Sequence, residues 1–418
     1  MQRLINFLED ILLIDLSVFI VISPYNRLYA KYCFSVALAA WLILKILKHK
    51  SGFFRFLIPR NFLNKPLIIF GIAVVISIVF SQNFYHSQKI FFNRYLVYVT
   101  LFWIGIDVAT DAKKSLPYFI TAIFISSIFI GLGGIWDYFV LRPTRLYTVF
   151  GLRPPFCMLP LYIVYLIPIN FALTIFSQKR WIRIFSLLGL FFLLFCLILQ
   201  ESRSGWIAVS VSLLFISLFK NRKLAIEMVM SIFLLFLVGF LFHGVREMIK
   251  TIPYPEQWNH RTPLYASAIS MFKDHPIKGT GVGMFEQLIK TDKYSLPKDY
   301  PLMDTIYRDI YLHAHSLYFE IMAEMGIIGL FAFFMLFIVF FKHVFKHVKS
   351  IKDNNKFTVL IGISGLVVAT LVYGVAGTII TVGVNETYMF WFLIGGACGV
   401  LPKQSDSCSM TERKEVNG

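Results

Sequence analysis

Charge is what this sequence has least of. Asp, Glu, Lys and Arg make up 15% of its 418 residues, against about a quarter in soluble globular chains. With 57% hydrophobic residues and a mean hydropathy of +0.70, it cannot cover a water-facing surface, which excludes a soluble fold. Acidic groups are scarcer than basic ones, 23 against 40, for a net charge of +17. Cysteine is sparse too. Cys33, Cys157, Cys196, Cys398 and Cys408 are scattered through mostly apolar segments, so neither a disulfide framework nor a thiolate zinc site is expected. There is no internal repeat and no low-complexity stretch. The first residues lack a basic segment followed by a small-residue cleavage site, so the first apolar run reads as an uncleaved span.

What the sequence has is apolar runs of the length a bilayer needs, about 20 residues for a core about 30 Å thick. They fall near 11–24, 28–46, 66–81, 90–106, 118–140, 156–176, 182–200, 204–219, 225–242, 316–341, 357–377 and 380–401. The predicted fold class is an all-α polytopic membrane protein of about twelve transmembrane helices, with a large loop between the ninth and tenth. The shortness of the runs at 11 and 66 and the near-continuity of the last two also allow eleven. Abundant aromatic residues, 44 Phe and 20 Tyr, suit lipid-facing and headgroup-level positions.

Lys and Arg fix the expected orientation, because short cytoplasmic loops keep positive charge. With the N-terminus inside, 23 of the 40 basic residues fall on cytoplasmic segments, eight on short outer ones and nine in the long loop. The positive charge is then a topology signal, and nucleic-acid binding is not needed to explain it. The expected organisation is helices 1 to 9 over 1–243, an outer loop with short helices over 244–315, helices 10 to 12 over 316–401, and a cytoplasmic tail over 402–418. Within the loop, Leu264, Ala268, Met271 and Phe272 share one helical face, as in a helix lying on the membrane surface or capping the bundle.

Several features put charge where a membrane protein avoids it. The first is Glu201-Ser202-Arg203-Ser204-Gly205-Trp206 at the outer junction of two spans. Arg203 reads either as a snorkelling anchor or as a fixed guanidinium facing a cavity. The second is Arg261 in the loop, either solvated or a partner to Arg203 in gripping a diphosphate, whose oxygens match the planar guanidinium fork. Gly279, Gly281 and Gly283 follow it. Their spacing is not the dinucleotide fingerprint, and they read as turn glycines. The third is His313-Ala314-His315-Ser316-Leu317-Tyr318-Phe319-Glu320. Ser316 is a candidate helix cap, which would set His315 beside a helix N-terminus whose dipole favours the neutral, proton-accepting imidazole. His313 and His315, with Asp309, lack the spacing of a metal site, so no metal and no cofactor are expected. Glu320 and Glu324 lie four apart, as in complementing a helix N-terminus. Arg142, Arg145 and Arg153 gather on the outer side against the charge trend, suited to lipid headgroups or to guiding an anionic lipid-linked donor.

Taken together and in order, ESRSGW, RTPLYASAISMFKDHPIKGTGVGMF and HAHSLYFEIMAEMGIIGL resemble the O-antigen ligase and polymerase family of bacterial envelope glycosyltransferases. One departure is Ser316, where the family commonly has Asn after its key histidine. The resemblance implies an inner-membrane, metal-independent, inverting glycosyltransferase whose active site faces the periplasm. Its donor would be an undecaprenyl-diphosphate-linked glycan and its acceptor, in the ligase branch, lipid A-core, completing lipopolysaccharide. By the same resemblance Arg203 and Arg261 hold the diphosphate and His315 is the key histidine, with His313, Glu320, Arg142, Arg145 and Arg153 as secondary candidates. A polymerase passing the chain to a second lipid-linked repeat, or a protein O-oligosaccharyltransferase, would use the same donor. A lipid-linked sugar transporter is the reading from another class. It would favour charges buried mid-span and broken helices, whereas the unusual groups here gather at the outer junctions.

Overall fold

The computed structural model describes residues 1–25, 27–48, 58–142, 159–240, 246, 261–295, 313–377 and 385–401. They are helical, with no strand among them, as lipid demands: a bilayer core offers backbone groups no water, and a helix satisfies them within one segment. Twelve long helices among the described residues match the twelve apolar runs in order. Nine precede the long loop: α1 Gln2–Ile22, α2 Arg27–Lys48, α3 Asn64–Val79, α4 Phe84–Thr110, α5 Ala112–Val140, α6 Leu159–Phe176, α7 Arg180–Leu199, α8 Arg203–Leu218 and α9 Arg222–Gly239. Two shorter helices follow, α10 Thr262–Asp274 and α11 Phe285–Leu288, then α12 Leu317–His347, α13 Asn354–Tyr373 and α14 Asn385–Val400. Seven of the long helices are long and apolar enough by themselves to cross a membrane. The helices commonly outrun the apolar runs, as α1 does at its start and α12 at its end, because helical hydrogen bonding continues past the last lipid-compatible residue.

Burial ranks the helices. In α6 only Thr174 and Ile175 keep partial exposure, so it is the central post. By contrast α3 exposes Ile68, Ile72 and Val79, α7 exposes Leu187 and Phe191, and α9 exposes Met230, Phe233 and Leu234, faces suited to lipid. The tightest pairing joins α4 and α14, where a Cβ on Gly105 would strike the Phe392 carbonyl and one on Gly395 the Phe102 carbonyl. Small residues let two backbones close in where lipid supplies no hydrophobic drive. One end of the bundle is tied by ion pairs: Lys45 to Asp107 at 2.6 Å, and Lys48 and Lys114 to Glu9 at 2.7 and 2.8 Å. These side chains line a cavity of about 250 Å³. None of the residues singled out in the loop or its flanking junctions borders it. Cys33, Cys196 and Cys398 are free thiols; Cys157 and Cys408 lie outside the described residues.

Helix α12 is broken. Gly326 takes φ 63°, ψ −161° in its midst, a region essentially closed to side-chain-bearing residues. The break admits the segment from His275 to Phe285. Ile327 N–H donates to the Pro276 carbonyl at 2.9 Å and Ile328 N–H to that of Ile277 at 3.3 Å, while Thr280 N–H donates to Ala323 at 2.9 Å and Gly281 N–H to Glu324 at 3.0 Å. The segment therefore supplies the partners that the broken helix loses. Gly279, Gly281 and Gly283, with φ of 70°, 118° and 76°, bend the chain through this slot, as turn glycines rather than a phosphate loop. A Cβ at Gly326 would also strike the Ile277 carbonyl. Gly326→Ala should therefore cost about 1–3 kcal/mol in backbone strain alone, lowering the thermal unfolding midpoint of the detergent-solubilised chain. An unchanged midpoint would mean that the break is dispensable.

Candidate active site

The flagged residues sit at helix ends. Ser316 is the N-cap of α12, its Oγ accepting from Phe319 N–H at 3.5 Å. Leu317 N–H, otherwise an orphan of the first turn, is taken by the carbonyls of Gly374 at 2.8 Å and Gly377 at 3.0 Å. The start of α12 is thereby fixed to the end of α13, and His315 stands just before it.

His315 adopts φ 49°, left-handed backbone that costs a β-carbon-bearing residue about 1–3 kcal/mol and persists only where the surroundings enforce it. Here Tyr265 Oη, from α10, donates to the His315 carbonyl at 3.3 Å, and the Tyr265 ring lies 5.0 Å from that of Phe319. His315 is exposed to the exterior, yet desolvation by the surrounding protein is the largest cause pushing its pKa down to about 4; the positive charges of Arg261 and His313 add to it and Glu320 opposes. The imidazole is neutral at pH 7, the state the sequence called for, but chiefly through burial.

Two further candidates join it, and a third shares its level. Arg261 directly precedes α10, and its Nη1 donates to the Ala376 carbonyl at 2.8 Å, beyond the same α13 end that receives Leu317. His313 Nδ1 lies 3.5 Å from Glu320 Oε1, and that carboxylate is almost wholly buried. Arg203 opens α8 beside its N-cap, Ser202, whose side chain accepts from Gly205 N–H. Chain direction settles its level. Asn354, at the start of α13, meets Phe176, the last residue of α6, so α6 and α13 are antiparallel. The turns at 177–179 and 200–202 make α8 parallel to α6. Ser212 Oγ donates to the Gly365 carbonyl at 2.8 Å; Arg203 is nine residues from Ser212 toward the start of α8, and Gly374 nine from Gly365 toward the end of α13. Both therefore lie about 13 Å along at ~1.5 Å per residue, and Arg203 shares the level of the His315 anchor. Arg142 is also left-handed, at φ 45°, as is Glu201 at φ 50°. Among the described residues, these two and His315 are the only non-glycine positions with positive φ, and each lies in or beside a charged motif. Arg145, Arg153 and Asp309 lie outside the described residues, and among the described ones no three His, Cys, Asp or Glu side chains converge as a metal site would require.

The loop helix expected from its apolar face is α10. It buries Leu264, Ala268 and Met271 in a separate small core with Phe285, Leu288, Tyr294, Ala314 and Ala323; Phe272, half-buried, is not part of that core. The helix packs against the first turns of α12. Two further residues belong to this neighbourhood. Glu324, expected to complement the start of its own helix, is buried and serves the start of α11 instead, its Oε1 accepting Phe285 N–H at 3.2 Å. Arg94, in a π-helical stretch Phe91–Tyr95 inside α4, has its charge within reach of Glu324. Arg94 was missed from the sequence, although an arginine inside an apolar run is itself unusual.

Residues 188–334 match the family model described as O-antigen ligase, a stretch running from within α7 to just past the break in α12 and containing Arg203, Arg261, His313, His315 and Glu320. No curated protein matches the chain at a significant level.

The His315 environment has a direct readout. Diethyl pyrocarbonate modifies neutral imidazole, so the pH midpoint of His315 modification, followed by peptide mass spectrometry, should fall well below the ordinary histidine value of about 6.5, toward about 4. Arg261→Ala should raise it, since removing a nearby positive charge favours the imidazolium. A wild-type midpoint near 6.5 would refute the desolvation of His315.

Proposed function

We propose that this all-helical membrane protein, of which residues 188–334 match the O-antigen ligase family model, is a glycosyltransferase of the bacterial inner membrane. It moves a glycan from an undecaprenyl-diphosphate-linked donor to a hydroxyl of lipid A-core, with its active site and the 244–315 loop facing the periplasm and both termini cytoplasmic. The observation that carries this reading is the gathering of Arg261, His313, His315 and Glu320 around one helix start, inside the matched stretch.

In the proposed reaction, His315 takes the proton of the acceptor hydroxyl as that oxygen attacks the anomeric carbon. The bond from that carbon to the diphosphate oxygen breaks, and backside attack inverts the centre. The leaving diphosphate stays on its lipid carrier, its developing charge held by the guanidiniums of Arg203 and Arg261 in a poorly solvated site. The diphosphate is a good leaving group, so no acid is needed on that side. A base with a pKa near 4 is weak by itself. An anionic diphosphate beside Arg261 offsets the guanidinium charge and raises the basicity of His315, so the base strengthens when donor is bound.

Arg203→Ala and Arg261→Ala should each abolish most transfer without unfolding the bundle, with Lys rescuing only partly because an ammonium lacks the bidentate fork. His315→Ala should cost at least about 10²-fold while donor binding persists, and His313→Ala much less. Wild-type turnover in either arginine variant would remove that residue from the site; a dead His313→Ala beside an active His315→Ala would reassign the base. Purified protein given lipid-linked glycan with either lipid A-core or a second lipid-linked repeat identifies the acceptor, and transfer should survive chelation of divalent ions. Reporter fusions near Tyr294 should read as periplasmic; strong cytoplasmic activity there would invert the topology.

A further inference from the structure

The buried carboxylate of Glu324 lies between the glycine segment and the helix that begins beside His315. Its Oε1 accepts Phe285 N–H at 3.2 Å, and Gly283 N–H is a second donor to the same carboxylate. Its own main-chain carbonyl accepts Gly281 N–H at 3.0 Å and Ser77 Oγ at 2.7 Å. Thr280 Oγ1 reaches the Ala323 carbonyl at 3.0 Å. From the far side, Ser87 Oγ donates to the Val282 carbonyl at 2.7 Å, and His86 Nε2 lies 3.1 Å from that of Gly283. The glycine segment is thus gripped between α12 and the α3–α4 corner, with the Glu324 side chain holding its backbone.

The grip leads to the site by contacts already described. Phe285, whose N–H Glu324 holds, forms with Met284 part of the small core under α10. On that core α10 rests through Leu264, Ala268 and Met271, with Ser267 Oγ tied to the Tyr294 carbonyl at 3.0 Å. From α10 come Tyr265, bound to the His315 carbonyl, and Arg261 at its start. We propose that Glu324 is a positioning residue whose side-chain length sets the seat of α10, and with it the placement of Arg261 and Tyr265 against His315. It rests on the glycosyltransferase reading only for its effect on turnover; the geometric claim stands apart from it.

The charged groups involved are Arg261, His313 and Glu320 around His315, and Glu320 and Arg94 around Glu324. This gives the test its sign. Taking away a carboxylate's negative charge across space would lower the His315 midpoint, whereas shifting α10, so that Arg261 retreats and His315 gains solvent, would raise it. Three variants separate length from charge: Glu324→Asp keeps the charge but withdraws the carboxylate by one methylene, Glu324→Gln keeps the reach and an acceptor oxygen without charge, and Glu324→Ala keeps neither.

The experiment measures the pH midpoint of His315 modification by diethyl pyrocarbonate in the full-length chain in detergent, together with thermal unfolding and transfer rate. Positioning predicts a midpoint raised by about half a unit or more in Asp and Ala, with Gln at or slightly below wild type. Turnover should fall in Asp and Ala by up to about 10²-fold, the scale of a 1 Å misplacement. A role through charge gives the reverse order, with Asp holding and Gln moving, and overturns the proposal. So does a wild-type midpoint in folded Glu324→Asp, which keeps the comparison decisive should Ala fail to fold. If the midpoints follow length but no variant, nor wild type, transfers glycan, the glycosyltransferase reading falls while the positioning role stands.

Discussion

The organisation of this molecule turns on a hydrogen-bond exchange inside a helix. Where α12 breaks at Gly326, the N–H groups of Ile327 and Ile328 find the carbonyls of Pro276 and Ile277, while the carbonyls of Ala323 and Glu324 receive the N–H groups of Thr280 and Gly281. Within a bilayer-embedded bundle, irregular backbone persists only where protein satisfies it. Both interruptions, the broken helix and the bent glycine segment, are therefore stable only together. The pairing also stitches the segment from His275 to Phe285 into the bundle, and the small core under α10 follows from that.

This junction explains how a site can be exact at the edge of a membrane. His315 sits in strained left-handed backbone, held by the capped start of α12, by the α13 end that takes Leu317 N–H, and by Tyr265 from α10. Three elements distant in sequence over-determine one residue. Strain of this kind is retained where the surroundings leave no choice, and the charged groups Arg261, His313 and Glu320 meet at the same point. The opposite end of the bundle is built on another principle, with lysines and carboxylates paired among themselves, so its charge is consumed in holding helices together.

The sequence by itself determined the class of structure, the order of the helices, the capping role of Ser316 and the face on which α10 packs. All of these follow from local rules: apolar length, a hydroxyl before a helix, and 3.6-residue periodicity. It also carried the residue types of the site, because arginine and histidine at span junctions are costly enough in a membrane to stand out one by one. Tertiary structure alone decided which of them meet. Nothing local in GTGVG says that it fills a gap in a helix some forty residues later, and Gly326 looks like any small residue in an apolar run. Glu324 could be read only as complementing its own helix start for the same reason: its actual partners are backbone N–H groups of the glycine segment and α11, which every sequence has everywhere. Desolvation of His315 likewise depends on what packs around a ring. Periodicity and charge are properties of a segment and can be read along it; burial, and the sharing of hydrogen bonds between segments, exist only once the chain has closed on itself.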